Sequence, residues 1–218
     1  MEEAMKVKFE SPTVNMARRK FICTLLPVGG LVCLGCSNLM AGVQEKNPDK
    51  NQPGKHKFKM PADITWEQVY TLALRMSIPT LQELLNAIGK EKFLSMLKTA
   101  SSDAMAGTIK SILDRFPNRD LSTFANLMIN NPNFKNTLSF SVVRNTAEVF
   151  ELKVTECIWA RVARSINVPD AAEIGYSAIC YPDYITASTF NPKIQMVRDK
   201  TLMQGYEICN HRYILQKS

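Results

Sequence analysis

The feature that most constrains this chain is a change of hydrophobic period near Asn133. Upstream, apolar residues recur at three- and four-residue spacing, the repeat of one helix face. Thr65 and Gln68 form a capping-box pair ahead of Trp66, Val69, Tyr70, Ala73 and Met76. Pro79 is expected to break this helix. Thr80 with Glu83 then starts another, carrying Leu81, Leu84, Leu85 and Ile88 and closed or kinked by Gly89. Further stripes are Phe93, Met96, Leu97 and Ala100, then Met105, Ile109, Ile112, Leu113 and Phe116. Leu121, Phe124, Ala125 and Met128 form a last short one, stopped by Asn130-Asn131-Pro132-Asn133. Such stripes are core in most proteins, so the helical half reads as scaffold.

Downstream the period is two. Leu138, Phe140 and Val142 alternate with Ser139, Ser141 and Val143; Phe150, Leu152 and Val154 alternate with Glu151, Lys153 and Thr155. That is the pattern of strands with one buried face. A helix is expected from about Glu156 to Ile166, and another from Asp170, an N-cap after Pro169. Ile194 with Met196 and the segment Ile208–Leu215 read as two final strands. Helices first and strands later specify an α+β fold: a helical half, then a small antiparallel sheet with one or two packed helices.

The first 36 residues read as an address. Met16-Ala-Arg18-Arg19-Lys20 precedes an apolar run, Phe21–Cys36, interrupted by Pro27, Gly29, Gly30 and Gly35. A cationic start, an apolar stretch and small residues at its end are the parts of a secretory signal. The run is shorter than the roughly 20 apolar residues a spanning helix needs. Arg18-Arg19 is similar to a twin-arginine signal, and Leu34-Gly35-Cys36 to the lipobox of bacterial lipoproteins, with Cys33 where leucine is usual. Met16 suits such a signal better than Met1. The expectation is an exported protein, periplasmic or membrane-anchored, tethered through its N-terminus if Cys36 is lipidated. Residues 37–62, with Pro48, Pro53, Gly54 and Pro61, have linker composition, leaving 63–218 as one α+β domain.

Composition excludes little but bounds the partners. The chain is 45% hydrophobic and 22% charged, with net charge +7. Much of that excess is Lys46, Lys50, Lys55, Lys57 and Lys59 within the linker, the pattern of a solvated tether. No basic surface with interleaved aromatics accompanies it, so nucleic acid is not an expected partner. There is no phosphate-binding loop, dinucleotide fingerprint or serine elbow, and no cofactor is expected.

The last third groups its polar and sulfur residues. Val154-Thr155-Glu156-Cys157, Cys180-Tyr181-Pro182-Asp183, Phe190-Asn191-Pro192, Arg198-Asp199-Lys200-Thr201-Leu202-Met203-Gln204-Gly205 and Cys209-Asn210-His211-Arg212-Tyr213 follow in that order. Together these segments resemble the L-2-amino-thiazoline-4-carboxylic acid hydrolase family, over roughly Leu138 to Tyr213. Asp199, Tyr206 and His211 depart from the family pattern, which bears on the substrate.

The resemblance implies hydrolytic opening of a 2-amino-thiazoline ring to an N-carbamoyl cysteine, with a small molecule as the partner. Such chemistry needs a nucleophile, a base and stabilisation of the leaving sulfur. Cys180 is the candidate nucleophile and Asp183 the base or orienter. Cys209 and His211 are candidates to assist. Arg198 suits the substrate carboxylate, because its planar fork accepts one with two hydrogen bonds; Asn191 is a further candidate contact. Other readings of the same residues stay open. Cys157 reads first as a small buried hydrophobe. Cys180 and Cys209 could form a disulfide, or Cys180, Asp183, Cys209 and His211 a metal set. Arg198 could simply pair with a carboxylate such as Glu173. The alternative function is an exported, non-catalytic small-molecule-binding or sensor domain on the same fold.

Overall fold

The computed structural model describes residues 64–217. The export segment with Cys36, and the linker 37–62, lie outside the described residues. The helical half comprises α1 (Trp66–Ile88), α2 (Lys90–Ile112), α3 (Leu121–Asn130) and α4 (Pro132–Thr137). There follow β1 (Leu138–Asn145), β2 (Val149–Cys157), α5 (Ile158–Ser165), α6 (Ala171–Gly175), a π-helical turn (Tyr176–Cys180) and α7 (Asp183–Phe190). β3 (Ile194–Val197) and β4 (Cys209–Leu215) complete the fold. The four strands form one antiparallel sheet in the order β1-β2-β4-β3, so the α+β class expected from the change of period is the observed one.

α1 starts where the capping box placed it. The Thr65 hydroxyl accepts from the Gln68 amide, and the Gln68 side chain accepts from the Thr65 amide at 2.7 Å. It does not end at Pro79. The helix runs through the proline to Gly89, whose φ of 94° closes it. Pro79 has no N–H to give the carbonyl of Arg75. The loss is tolerated because the same face is buried on both sides of it, with Tyr70, Leu74 and Ile78 before and Gln82 and Leu85 after. Thr80 is therefore no cap: its hydroxyl bonds back to the Met76 carbonyl at 3.2 Å. The next two stripes likewise merge into the single helix α2, since nothing between Ala100 and Met105 stops it.

Four elements carried weaker signals. α4 follows Asn131, whose side chain accepts from the Asn133 amide, with Pro132 in the first turn. Asp170 occupies the N-cap position of α6 but makes no side-chain cap bond. Its carboxylate is held instead by Lys90 Nζ at 2.8 Å and Gln82 Nε2 at 2.9 Å, tying α6 to α1 and α2. The π-helical turn and α7 had no periodic signature.

Two apolar cores result. One packs the inner face of the sheet (Phe150, Leu152, Ile194, Tyr213) against Leu121 and Phe124 of α3, Phe190 of α7 and the end of α2. The other joins α1, α5, α6 and Met203 through Tyr70, Leu74, Ile78, Val162 and Ile174. Cys157 and Cys180 pack against the second core, while Tyr184 packs against the first and Tyr213 belongs to it. The polar residues of the last third lie where the two cores meet.

Candidate functional site

The site is built from strand alternation and one tight turn. In β3, Ile194 and Met196 face inward, and the same alternation carried one step past the strand buries Arg198. In β4, Cys209, His211 and Tyr213 face inward while Arg212 is exposed. Val197 pairs with Arg212 across the two strands, which brings Arg198 beside His211. From the opposite side, the π-helical turn presents the Cys180 carbonyl, and the first residue of α7 presents Asp183.

Arg198 is the hub. Its Nη1 donates to Asp183 Oδ2 at 2.6 Å, and its Nη2 donates to the Cys180 carbonyl at 2.6 Å. Its guanidinium carbon stands 5.1 Å from the centre of the Tyr184 ring and 6.0 Å from that of Tyr176. The Tyr184 hydroxyl donates to the Arg198 carbonyl at 2.9 Å. The Arg198 side chain is 1% exposed, whereas that of Asp183 is 26% exposed, so the pair opens to solvent on the carboxylate side. Among the described residues, Arg198 Nε is a buried donor without a partner. Such an atom costs free energy unless water or a ligand meets it.

Histidine chemistry follows from the same hub. Arg198 Nη1 lies 3.4 Å from His211 Nε2, and a guanidinium can only donate. Nε2 is therefore the bare nitrogen, and Nδ1 carries the proton toward the Tyr213 hydroxyl at 3.4 Å. Burial, with Arg198 adding to it, holds His211 down to a pKa of about 3. His211 is thus neutral at physiological pH and acts as an acceptor in the wall of the site.

Burial pushes the Asp183 carboxyl above its ordinary value, while the charge and hydrogen bond of Arg198 pull it back. For Arg198 burial disfavours the charge, but Asp183 and Cys180 more than offset it, and the guanidinium stays protonated. All three thiols are raised, chiefly by burial: Cys157 to about 11 despite the backbone N–H of Ala160, Cys180 well above its usual value, and Cys209 against a bond from the Leu202 amide at 3.1 Å. Each is a neutral thiol at pH 7 and a poor nucleophile in that form.

The structure therefore brings Cys180, Asp183, Arg198, Cys209 and His211 together. Asn191 lies apart, at the other end of α7, where its side chain donates to the Arg119 carbonyl and accepts from the Lys193 amide. The three described cysteines are free, so no disulfide joins Cys180 to Cys209. Among the described residues no group of three or more His, Cys, Asp or Glu is placed to hold a metal ion. Arg198 pairs with Asp183 and not with Glu173, which is held by Lys90 at 2.6 Å.

Residue spacing did not point to the aromatic side of the site. Tyr176 and Tyr184 flank the Arg198 guanidinium, and Tyr181 packs on both, with ring centres 6.4 Å apart for Tyr176 and Tyr181 and 5.7 Å apart for Tyr181 and Tyr184. A π-helical turn and a short helix bring them together, and neither leaves a regular repeat in a sequence. On the far side of Cys157, a cleft of about 610 Å³ runs between α4, β1 and α5, lined by Lys135, Ser139, Glu156, Cys157, Arg161 and Arg164 among others.

Comparison with known proteins places this geometry in context. No curated protein sequence matches the chain. Among solved structures, the chain is similar to a trafficking protein particle complex subunit 3 from Naegleria fowleri covalently bound to palmitic acid. The identity is 10%, covering 67% of this chain and 96% of that one, with a TM-score of 0.45. It is also similar to the phenol-responsive sensory domain of the transcription activator PoxR with phenol, at 11% identity over 65% and 74% of the two chains and a TM-score of 0.46. The model of the L-2-amino-thiazoline-4-carboxylic acid hydrolase family matches residues 68–213, which spans the helical half as well as the motif-bearing third. The chain belongs to the L-2-amino-thiazoline-4-carboxylic acid hydrolase family.

Proposed function

We propose that this protein is a hydrolase that opens a small cyclic amidine-like substrate, of the 2-amino-thiazoline-4-carboxylate type, at the Arg198–Asp183 site. The observation that carries this reading is the asymmetry of the pair: Arg198 is sealed in, while Asp183 keeps an exposed edge. A carboxylate raised by burial and fixed by a buried cation is suited to act as a general base on a bound water. Water adds to the ring carbon flanked by sulfur and two nitrogens, and Asp183 takes its proton. The hydroxyl proton of the adduct moves to the ring nitrogen as the carbonyl forms. The C–S bond breaks, and the proton held by Asp183 passes to the leaving sulfur. One water is consumed and an N-carbamoyl cysteine with a free thiol is formed.

Attack by water differs from the thiol attack expected from the sequence. Cys180 offers the hub its carbonyl, and burial keeps its sulfur protonated. Both terminal nitrogens of Arg198 bond groups of the protein, so the arginine orients Asp183 in this reading and leaves the substrate carboxylate to another cation. The same reading keeps the protein outside the cytoplasm, supported by Arg18-Arg19 and the apolar run ending at Cys36.

The direct test incubates the full chain with L-2-amino-thiazoline-4-carboxylate and follows thiol release together with the product mass. A new thiol on a product one water heavier supports the proposal. One observation favours the binding-only alternative: no thiol of the cluster is activated. Saturable binding of the thiazoline without thiol release would favour that alternative over catalysis.

A further inference from the structure

With the fork of Arg198 filled, a carboxylate-bearing substrate needs a second cation, and the structure holds one over two tyrosines of the site. Lys98, on α2, is half-buried, and its ammonium lies 5.2 Å from the centre of the Tyr181 ring and 5.9 Å from that of Tyr176. Tyr176 also carries the Arg198 guanidinium at 6.0 Å, so one ring is shared by the buried cation and the open one. The neighbouring turn of α2 is fixed to the same segment, because the Ser101 hydroxyl donates to the Ser177 carbonyl at 3.0 Å. Among the described residues no carboxylate lies within ion-pair distance of Lys98, whereas Lys90, eight residues earlier on the same helix, holds two.

We propose that Lys98 is the specificity-determining residue of the site: it takes the substrate carboxylate, with the flat heterocycle laid against Tyr181. This inference rests on the hydrolase reading above. The physical case is that the two rings hold the ammonium itself by cation–π attraction, while no carboxylate of the described residues pairs with it, so its charge is left for an anion. Tyr181 is itself 36% exposed, so part of it is open to a ligand. Tyr181 packs against Tyr184, the ring that Arg198 lies over, so a ring laid on Tyr181 with its carboxylate at Lys98 adjoins the Arg198–Asp183 pair. No proton transfer is assigned to Lys98. It acts on binding and orientation alone.

The test compares two substrates, L-2-amino-thiazoline-4-carboxylate and the same ring without its carboxylate, in the wild type, Lys98→Met and Lys98→Arg. Lys98→Met keeps an apolar stem over the rings, and its thermal midpoint checks folding. The expected result is a drop of about 10- to 100-fold in the ratio of kcat/KM for the carboxylate over the carboxylate-free substrate, the size of one charged hydrogen bond. The change lies mainly in KM, with most of the ratio restored in Lys98→Arg. Equal loss on both substrates, or no change in the ratio, overturns the proposal. If the wild type turns over neither compound, the hydrolase reading falls by itself. Calorimetric binding of the same two compounds then decides Lys98: discrimination that disappears in Lys98→Met supports it, and discrimination that persists overturns it.

Discussion

At the residue scale the account rests on a guanidinium that cannot reach solvent. Arg198 has one carboxylate, one carbonyl and one imidazole nitrogen around its terminal nitrogens, and two tyrosine rings within cation–π distance. Removing a charge so enclosed leaves its partner poorly matched. Arg198→Met is expected to lower stability by about 3 kcal/mol in urea unfolding, and Asp183→Asn in the same background to restore part of that loss. A second expectation concerns acid. The His211 pKa of about 3 lies below the ordinary value of 6.5, so between those two pH values the unfolded chain binds a proton that the folded one does not. Stability is thus full above pH 6.5 and declines as pH falls, by up to about 1.4 kcal/mol per pH unit. Asp183, whose pKa is raised, opposes this only where it titrates. In His211→Phe the slope should flatten, as read from urea midpoints at several pH values. The sequence held these residues in the right order but not their pairings. Glu173 and Asp183 are both carboxylates within reach by sequence, and only the strand register and the π-helical turn decide which one meets Arg198.

Among the elements, legibility followed periodicity. The strands Leu138–Asn145 and Val149–Cys157 and the caps at Thr65 and Gly89 were readable because alternation and capping are local. Pro79 misled because its cost is local while the burial that outweighs it comes from α5 and α6. α6 and the π-helical turn are short and aperiodic, yet they set the site. Gly175 joins them, and a Cβ there would lie 2.9 Å from Met203 Sδ and 3.2 Å from Ala163 Cβ. Met203 is itself fully buried, so it has little room to yield. Gly175→Ala is therefore expected to destabilise by about 1–3 kcal/mol, measurable by thermal unfolding, and to reduce activity by shifting the turn that carries the Cys180 carbonyl. An unchanged midpoint would mean that Met203 moves aside freely.

At the scale of the whole molecule, two cores meet along a seam, and the seam carries the charge. This arrangement explains how the fold tolerates a buried ion pair: each core supplies one wall, and the opening at Asp183 lets solvent share its charge. Outside the described residues, the export reading predicts that protein recovered from its native host begins at or beyond Cys36, with added lipid mass on that cysteine if it is an anchor. Intact mass decides both points. The central claim is that Asp183, held by Arg198, activates water, and that no thiol attacks the substrate. Single-turnover thiol release from L-2-amino-thiazoline-4-carboxylate by Asp183→Asn and Cys180→Ser tests it most directly. The account predicts a loss of at least about 100-fold in Asp183→Asn and a rate within severalfold of wild type in Cys180→Ser. Retained turnover in Asp183→Asn, with turnover abolished in Cys180→Ser, would contradict it and return the chemistry to the thiol.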